Sequence, residues 1–358
     1  TAPHQSFSFT PDLNVENPVS GARYFLNVVY YQNGKKVHEK QFKLGVLVAT
    51  LPHTAKASKP EISVKDYILS VKYDDFSCVF TKGMLSKVTS KNKVLLNAPM
   101  KLNIHRAYID NDGIMGLFPR RIGEWQKFLI DKYYFNLFDI DVCENQNKTT
   151  VTVGGSYTAN SLYSGFHVKI VYDIFSDKPV TVTVTGEPYG ELPQVLPRLG
   201  VVFETDSKLN TVKWLGRGPL ENYADSLANA PVGIYQKEIT QLNTDYDLPQ
   251  ETGNHEETYA LTLKDENGNN GLSVIGSDTF AFSYHDFSLE NLTSAKHKNE
   301  LVKSDKNYLY VDYKMRGLGS HSCGPEPEEK YEFRPHKFTF TFALSPCDFN
   351  QAVSISQT

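Results

Sequence analysis

The chain has 358 residues, of which 40% are hydrophobic and 22% charged, with 37 lysines and arginines against 41 aspartates and glutamates and a net charge of −4. This composition supports a large folded core and excludes disorder for most of the chain. The near balance of charge argues against a nucleic-acid partner, since neutralising many phosphates requires a basic face. No apolar run approaches the roughly 18 residues of a membrane-spanning helix.

The four cysteines lie far apart, at Cys78, Cys143, Cys323 and Cys347. Isolated thiols in a long chain are typical of a reducing compartment rather than of a disulfide framework. The first residues, TAPHQ, lack the charged and apolar regions of a secretory signal. We therefore expect a cytoplasmic protein.

Strand-like segments follow one another along most of the chain. The first two, residues 23–31 and 35–44, flank Asn33-Gly34, which is the sequence signature of a type I′ hairpin turn. Further segments of alternating apolar and polar residues lie at 166–172, 180–184, 258–263, 272–275 and 338–342. This alternation, together with 21 tyrosines and 21 phenylalanines, predicts an all-β sandwich or barrel.

Helical patterning is scarce, and the best candidate is residues 121–128, where apolar residues recur every three positions. Residues 51–61 show no periodicity and are predicted to be a linker. The segment before them, residues 1–50, is too small to build a core alone. It therefore packs on the rest of the chain or belongs to a domain that begins upstream.

Residues 110–113, which read DNDG, begin like a calcium-binding loop. The glutamate that closes such a loop is replaced here by Arg121, so we interpret the segment as an Asx-rich turn. The residues that follow, 113–123, are punctuated by glycines. They form either a functional loop or a plain connection.

Two further glycine-containing segments have open interpretations. Residues 214–219 space two glycines like a phosphate loop, but the proline after Gly218 favours a tight turn. Residues 317–325 either line a pocket rim or form a simple turn in which Cys323 is a small buried side chain. Glu326, Glu328 and Glu329 are expected on a solvated acidic edge.

The sequence contains no GxSxG elbow, HExxH motif, phosphate loop or dinucleotide-binding fingerprint. Its ten histidines include no pair spaced for a metal, and spacing selects no carboxylate pair for glycoside hydrolysis. Composition and spacing therefore indicate a large β protein without assigning its chemistry.

Four ordered sequence blocks nevertheless resemble one enzyme family. Residues 214–225, WLGRGPLENYAD, closely resemble the WLG-x-GP-x-ENY-x-D signature of glycoside hydrolase family 2 β-galactosidases. Residues 105–112, HRAYIDND, resemble the RA-x-x-DND block of that family. Residues 246–254, YDLPQETGN, and 317–325, GLGSHSCGP, resemble two later blocks in the same order.

The resemblance implies an architecture as well as an activity. Residues 62–358 would form the large terminal antiparallel β-sandwich of these enzymes, a supersandwich similar to that of galactose mutarotases and other aldose epimerases. Residues 1–50 would be the C-terminal half of the immunoglobulin-like β domain that precedes it. The chain would then be the C-terminal part of a longer enzyme.

The implied activity is hydrolysis of terminal β-D-galactosides such as lactose by a retaining mechanism with two carboxylates. In the family the catalytic glutamates, the magnesium site and the sodium or potassium site belong to an upstream barrel. No catalytic residue, metal ligand or cofactor is therefore assigned to this chain, which is expected to be inactive alone. Its implied partners are the β-galactoside, the upstream catalytic part and further copies in a homo-oligomer, with neither nucleic acid nor membrane.

Two groups of residues are implied to face the substrate. The sugar or aglycone would be contacted by a loop that contains His321, Ser322, Cys323 and Gly324. Many relatives carry a tryptophan in this loop, so the smaller Cys323 predicts weaker aglycone stacking. A mobile loop at the active-site entrance would contain Gly113, Gly116 and Gly123, since glycines suit such movement.

Two other functions compete with this interpretation. The chain could be a stand-alone galactoside-binding sandwich without catalysis. It could also be a sugar mutarotase in its own right, which requires a positioned general acid and base. His105 or His167 together with Glu221 would be the candidates, although no spacing supports that choice.

Overall fold

The computed structural model describes residues 5–6, 8–12, 22–44, 59–113, 120–145, 148–175, 180–319 and 326–357. The chain divides into two compact units, Thr1–Pro52 with the terminal Gln357–Thr358, and His53–Ser356. The helices of the described residues are α1 (Arg120–Lys127), α2 (Leu289–Ser294) and α3 (Phe349–Ser356). Their strands are β1 (Phe25–Gln32), β2 (Lys35–Lys43), β3 (Glu61–Lys65), β4 (Ile68–Lys72), β5 (Phe76–Thr81), β6 (Met84–Ser90), β7 (Lys93–Leu96), β8 (Lys101–Asn103), β9 (Tyr134–Glu144), β10 (Lys148–Thr158), β11 (Gly165–Phe175), β12 (Val180–Tyr189), β13 (Arg198–Asp206), β14 (Thr211–Arg217), β15 (Val232–Glu238), β16 (His255–Lys264), β17 (Asn270–His285), β18 (Lys306–Met315) and β19 (Phe338–Ser345).

The described strands of the first unit are the antiparallel pair β1 and β2. Asn33 and Gly34 both have positive φ, 50° and 75°, which confirms the predicted type I′ turn. A two-stranded hairpin is only marginally stable in water by itself. That this unit is half of an immunoglobulin-like domain stays a prediction. The predicted linker, residues 51–61, lies mostly outside the described residues, and its last residue, Glu61, already begins β3.

The second unit is built from antiparallel sheets, which confirms the predicted all-β class. Strands β3 to β7 form a five-stranded meander, and β8 to β19 form a twelve-stranded sheet. The meander packs on one part of the larger sheet. Phe80 of β5 lies edge-on to Tyr172 of β11 at 4.9 Å, and the Tyr73 hydroxyl is 3.0 Å from Thr149 Oγ1.

The long strand β17 turns the twelve-stranded sheet into two layers. Its first half, at Ser273–Gly276, pairs with β19, whereas its second half, at Ala281–His285, pairs with β18. Strand β18 in turn pairs with β13, and β13 with β8. Phe203 of β13 faces Phe342 of β19 across the core at 6.1 Å. The predicted sandwich is therefore formed by one sheet that branches.

The predicted helix at 121–128 is confirmed by α1. Trp125 anchors this helix, because its indole is fully buried and donates to the carbonyl of Val195 at 2.9 Å. Gly123 lies inside α1, so the loop predicted for it is wrong at this position: the apolar face around Trp125 continues the helix through the glycine.

Among the described residues, no helix is both long and apolar enough to span a membrane. Cys78, Cys143 and Cys347 are free thiols.

Candidate functional site

The four sequence blocks lie in connections next to four strands of the twelve-stranded sheet. The block at 105–112 follows β8, the block at 214–225 includes and follows the end of β14, and the block at 246–254 precedes β16. The described part of the last block follows β18. Strands β8 and β18 both pair antiparallel with β13, so their ends lie on the same side of the sheet. Strand β14 pairs antiparallel with β16, so the end of β14 meets the beginning of β16.

The first block folds around a buried ion pair. Asp112 closes a short 3-10 turn, and its Oδ2 lies 2.8 Å from Nη1 of Arg106, while both side chains are fully buried. The same oxygen accepts a hydrogen bond from the Ile109 amide at 3.0 Å. The turn interpretation of this segment is confirmed, and arginine holds the Asp112 carboxylate.

A second buried arginine joins this turn to the end of β18. Arg316 binds Glu332 through two parallel hydrogen bonds, Nε to Oε2 at 2.6 Å and Nη2 to Oε1 at 2.9 Å. Its Nη1 lies 3.5 Å from Asp112 Oδ1. Bidentate arginine–carboxylate pairs are stronger and more directional than single hydrogen bonds. Arg316 therefore fixes the direction in which the chain leaves β18.

The glycine-rich block continues from Arg316 and is held by the signature block. The Asp225 carboxylate accepts hydrogen bonds from the amide of Leu318 at 3.1 Å and the amide of Gly319 at 2.7 Å. The side-chain amide of Asn111 donates to the carbonyl of Leu318 at 3.1 Å. Residues from three of the four blocks thus meet at one short stretch of backbone.

Helix α1 also contacts this arrangement, through Arg121. Arg121 lies 3.1 Å from Glu326 through Nη2 and 3.1 Å from Glu124 through Nη1. Glu326 also accepts a hydrogen bond from Arg316 Nη2 at 2.7 Å. The predicted solvated acidic edge is confirmed for Glu328 and Glu329, which are exposed, but it is wrong for Glu326, because two guanidinium groups hold its carboxylate.

These contacts link the described residues on both sides of the segments 114–119 and 320–325. Asn111 and Asp112 precede the first segment and contact Leu318 and Arg316, which precede the second. Just after the first segment, Arg121 pairs with Glu326, which directly follows the second. We call this group the cross-linked base; its members are Asn111, Asp112, Arg121, Asp225, Arg316, Leu318, Gly319, Glu326 and Glu332.

The third block is tied to the signature block through Glu221. Its Oε2 accepts hydrogen bonds from the Gly253 amide at 2.6 Å and the Thr252 hydroxyl at 2.9 Å. Its Oε1 accepts one from the Tyr246 hydroxyl at 3.1 Å. A carboxylate occupied by so many donors holds a loop in place and is poorly suited to act as a base. This arrangement argues against Glu221 as the base of a mutarotase.

The two histidines considered with Glu221 do not complete such a site. His105 is buried, and this burial lowers its pKa to about 4. His167 is exposed on β11 and stacks on Tyr189 at 4.3 Å. Neither histidine is among the residues that hydrogen-bond Glu221 in the described part of the chain.

A third buried arginine, Arg198, forms a separate cluster at the same end of the sandwich. Arg198 lies 2.9 Å from Asp312 through Nε, 2.8 Å from the Ser283 hydroxyl through Nη2 and 3.8 Å from Glu251 through Nη1. Its guanidinium also covers the ring of Tyr310 at 4.6 Å. A Cβ at Gly200 would lie 2.3 Å from Asp312 Oδ1, so only glycine leaves room for this carboxylate.

Burial dominates the protonation of this cluster. It raises the pKa of Asp312 to about 7, although Arg198 opposes the shift. It raises the pKa of Glu251 as well, again against Arg198. Within the described residues, Asp312 Oδ1 and Glu251 Oε1 accept no hydrogen bond. Two buried carboxylates share one guanidinium here, which favours retention of a proton.

Most substrate-facing residues predicted from the sequence lie outside the described residues. These are His321, Ser322, Cys323, Gly324 and Gly116. Gly113 is described, and its φ of 108° ends the 3-10 turn in the left-handed region. The proposed roles of all these residues stay predictions.

Sequence reasoning missed the arginines and their partners. Arg316 follows directly on the apolar strand pattern of β18, and a charged residue at such a place was the available signal for a buried pair. Nothing local marks Arg121 or Glu326. In the described part of the chain, no three His, Cys, Asp or Glu side chains converge as a metal site.

An interior crevice lies away from the four blocks. It is lined by apolar side chains and tyrosine rings from the two layers of the sandwich, among them Leu102, Phe166, Val184, Tyr313 and Phe338. With no charged group in its wall, it lacks the polar contacts that fix the orientation of a ligand.

Comparison with known proteins connects these blocks to one family. A family model described as "Beta galactosidase small chain" matches residues 72–344. The chain is 32% identical over 356 residues to a beta-galactosidase of Actinobacillus pleuropneumoniae, covering 96% of this chain and 34% of that protein. It is 30% identical over 233 residues to a beta-galactosidase of Kluyveromyces lactis, covering 63% and 22% respectively.

The chain therefore spans about a third or less of the length of these curated relatives. Among solved structures, a galactose 1-epimerase from Lactobacillus acidophilus matches 90% of this chain and 98% of its own, with a TM-score of 0.39 and 8% identity.

Proposed function

The chain belongs to the beta-galactosidase small-chain family, and from this premise we propose that it is the C-terminal region of a β-galactosidase. The complete enzyme hydrolyses terminal β-D-galactosides such as lactose by a retaining mechanism with two carboxylates. Its catalytic glutamates, magnesium and sodium or potassium lie in an upstream barrel, and its copies assemble into a homo-oligomer. The isolated cysteines favour a cytoplasmic location.

In this proposal the chain completes the rim of the active site. The observation that carries it is the cross-linked base, because both segments that the family resemblance assigns to the substrate begin and end on it. Binding loops act best when a rigid scaffold fixes their ends. Here the scaffold consists of buried ion pairs centred on Arg316 and of the two amides that Asp225 accepts.

The inactivity that we propose for the isolated chain is supported by how three of its carboxylates are used. A retaining glycosidase requires two carboxyl groups about 5–5.5 Å apart that both reach the sugar. Glu251 and Asp312 face the same guanidinium of Arg198, but their side chains are only 1% and 0% exposed. Glu221 is occupied by its hydrogen bonds. We therefore assign no catalytic role to these carboxylates.

Hydrolysis of a chromogenic β-galactoside tests the proposal. The purified chain is assayed alone, then after mixing with the separately produced upstream part of the same enzyme, and each part alone serves as the control. We expect no turnover by the chain alone and turnover after mixing. Turnover by the chain alone would contradict the assignment of catalysis to the upstream part.

A titration of the same chain with galactose separates this proposal from a stand-alone binding module. The proposed rim is only one wall of the sugar site, so we expect no measurable binding without the upstream part. Saturable galactose binding by the chain alone, together with no gain of activity on mixing, would favour the binding module.

A further inference from the structure

One carboxylate oxygen in the cross-linked base serves two arginines from distant parts of the chain. Glu326 Oε2 accepts hydrogen bonds from Arg316 Nη2 at 2.7 Å, from Arg121 Nη2 at 3.1 Å and from Arg121 Nε at 3.3 Å. Arg121 belongs to α1, and Arg316 directly follows β18. Without this oxygen the two guanidinium groups would lose a carboxylate that they share.

We propose that Glu326 is a positioning residue that holds α1 and the chain after β18 in one mutual position, on which the substrate affinity of the complete enzyme depends. The inference rests on the proposed function for its kinetic consequence. The geometric claim itself, a shared oxygen between two elements, depends only on the contacts of Glu326.

The Glu326 carboxylate can be replaced without removing the other ion pairs of Arg316 and Arg121. Arg316 keeps its two hydrogen bonds to Glu332, and Arg121 keeps its contact with Glu124. The Glu326 side chain is 34% exposed, whereas that of Arg316 is fully buried. A neutral amide at position 326 therefore costs far less folding energy than a loss of Arg316.

Kinetics of the complete enzyme test the coupling. We expect Glu326→Gln and Arg121→Gln each to raise KM for aryl β-galactosides about 3–10-fold with kcat nearly unchanged, because the rim binds and the upstream part reacts. The double variant should be no worse than either single variant, since both remove the same link. If the two fold-changes instead multiply, the coupling is refuted.

Matched variants separate positioning from a general effect of charge. Glu329→Gln removes a glutamate that is 86% exposed and contacts Arg334 at 3.4 Å, so its KM should stay at the wild-type value. Arg121→Lys keeps a positive charge near Glu326 and should restore part of the lost affinity. A KM for Arg121→Lys equal to that of Arg121→Gln would count against the ion pair as the link.

Hydrogen exchange of the complete enzyme supplies a readout that does not depend on activity. Arg121→Gln lies in α1, yet it should accelerate amide exchange at residues 316–319 and 326–332, because the ion pair with Glu326 that holds them is lost. Unchanged exchange there would overturn the inference. If the enzyme lacks β-galactosidase activity but exchange accelerates as expected, the proposed function fails, whereas the positioning role of Glu326 is supported.

Discussion

Two arginine clusters at the same end of the sandwich differ in their charge balance. Among the buried members of the cross-linked base and its neighbour Arg106, two arginines meet two carboxylates: Arg106 and Arg316 against Asp112 and Glu332. In the second cluster, one arginine, Arg198, lies within ion-pair distance of both Asp312 and Glu251. This buried part of the first cluster is neutral when all four side chains are ionised, whereas the second cluster carries an excess negative charge.

The difference separates two uses of buried charge. A balanced network can stay ionised at neutral pH and hold backbone in a defined geometry through its directional hydrogen bonds. An unbalanced one relieves its excess charge by keeping a proton, which is why burial raises the pKa of both Asp312 and Glu251. We therefore expect the first cluster to govern structure and the second to govern the pH dependence of stability.

The largest effect is expected from the centre of the balanced cluster. Arg316→Met leaves Asp112 and Glu332 buried without their shared guanidinium, and removal of one partner from such a network costs about 3–5 kcal/mol of unfolding free energy. Urea denaturation of the purified chain measures this loss. Arg334→Met, an exposed arginine that contacts Glu329 at 3.4 Å, should change stability by less than about 1 kcal/mol. Similar losses in both variants would contradict the role given to Arg316.

The unbalanced cluster should respond to pH. Folding raises the pKa of its carboxyls, so the folded state holds a proton that the unfolded state releases above about pH 4. Stability from this source is present below that pH and is lost as pH rises towards 7. Glu251→Gln removes the excess charge. Its stability relative to wild type should therefore increase by about 1–3 kcal/mol between pH 4.5 and 8.

Buried histidines act in the opposite direction and make the comparison with wild type necessary. Burial lowers the pKa of His105 and His255 to about 4 and that of His285 to about 3. Their contribution to stability is lost as pH falls below about 6.5, where the unfolded histidines gain a proton. Because wild type and Glu251→Gln share these residues, the difference between their urea midpoints isolates the cluster. A difference that does not vary with pH would refute the retained proton.

The smallest effect is expected where a similar trio of charges lies at the surface. Glu204 binds Lys101 and Lys306, each at 2.7 Å, and the two lysine side chains are 60% and 48% exposed. Solvent screens such pairs, so Lys101→Met or Lys306→Met should cost less than about 1 kcal/mol, and less still in 1 M salt. A loss that is larger, or that salt leaves unchanged, would show that exposure does not separate this trio from the buried clusters.

The sequence predicted local elements well where the pattern was local. The hairpin turn at Asn33-Gly34 and helix α1 both depend on neighbouring residues, and both are present. Strand β17 was predicted only at residues 272–275, although it runs from Asn270 to His285. Much of β17 is buried on both faces, so the alternation that reveals a half-buried strand is missing.

By itself, the sequence determined the β class, the order of the strands that alternate and the four blocks that identify the family. Only the tertiary structure decided which charges meet. Arg121 and Glu326 are 205 positions apart, and Arg198 and Asp312 are 114 apart. A buried charge needs a partner that offsets its lost hydration. Arg106 finds that partner within its own block, in Asp112, whereas Arg198 and Arg121 find theirs in distant segments, which no pattern along a single segment reveals.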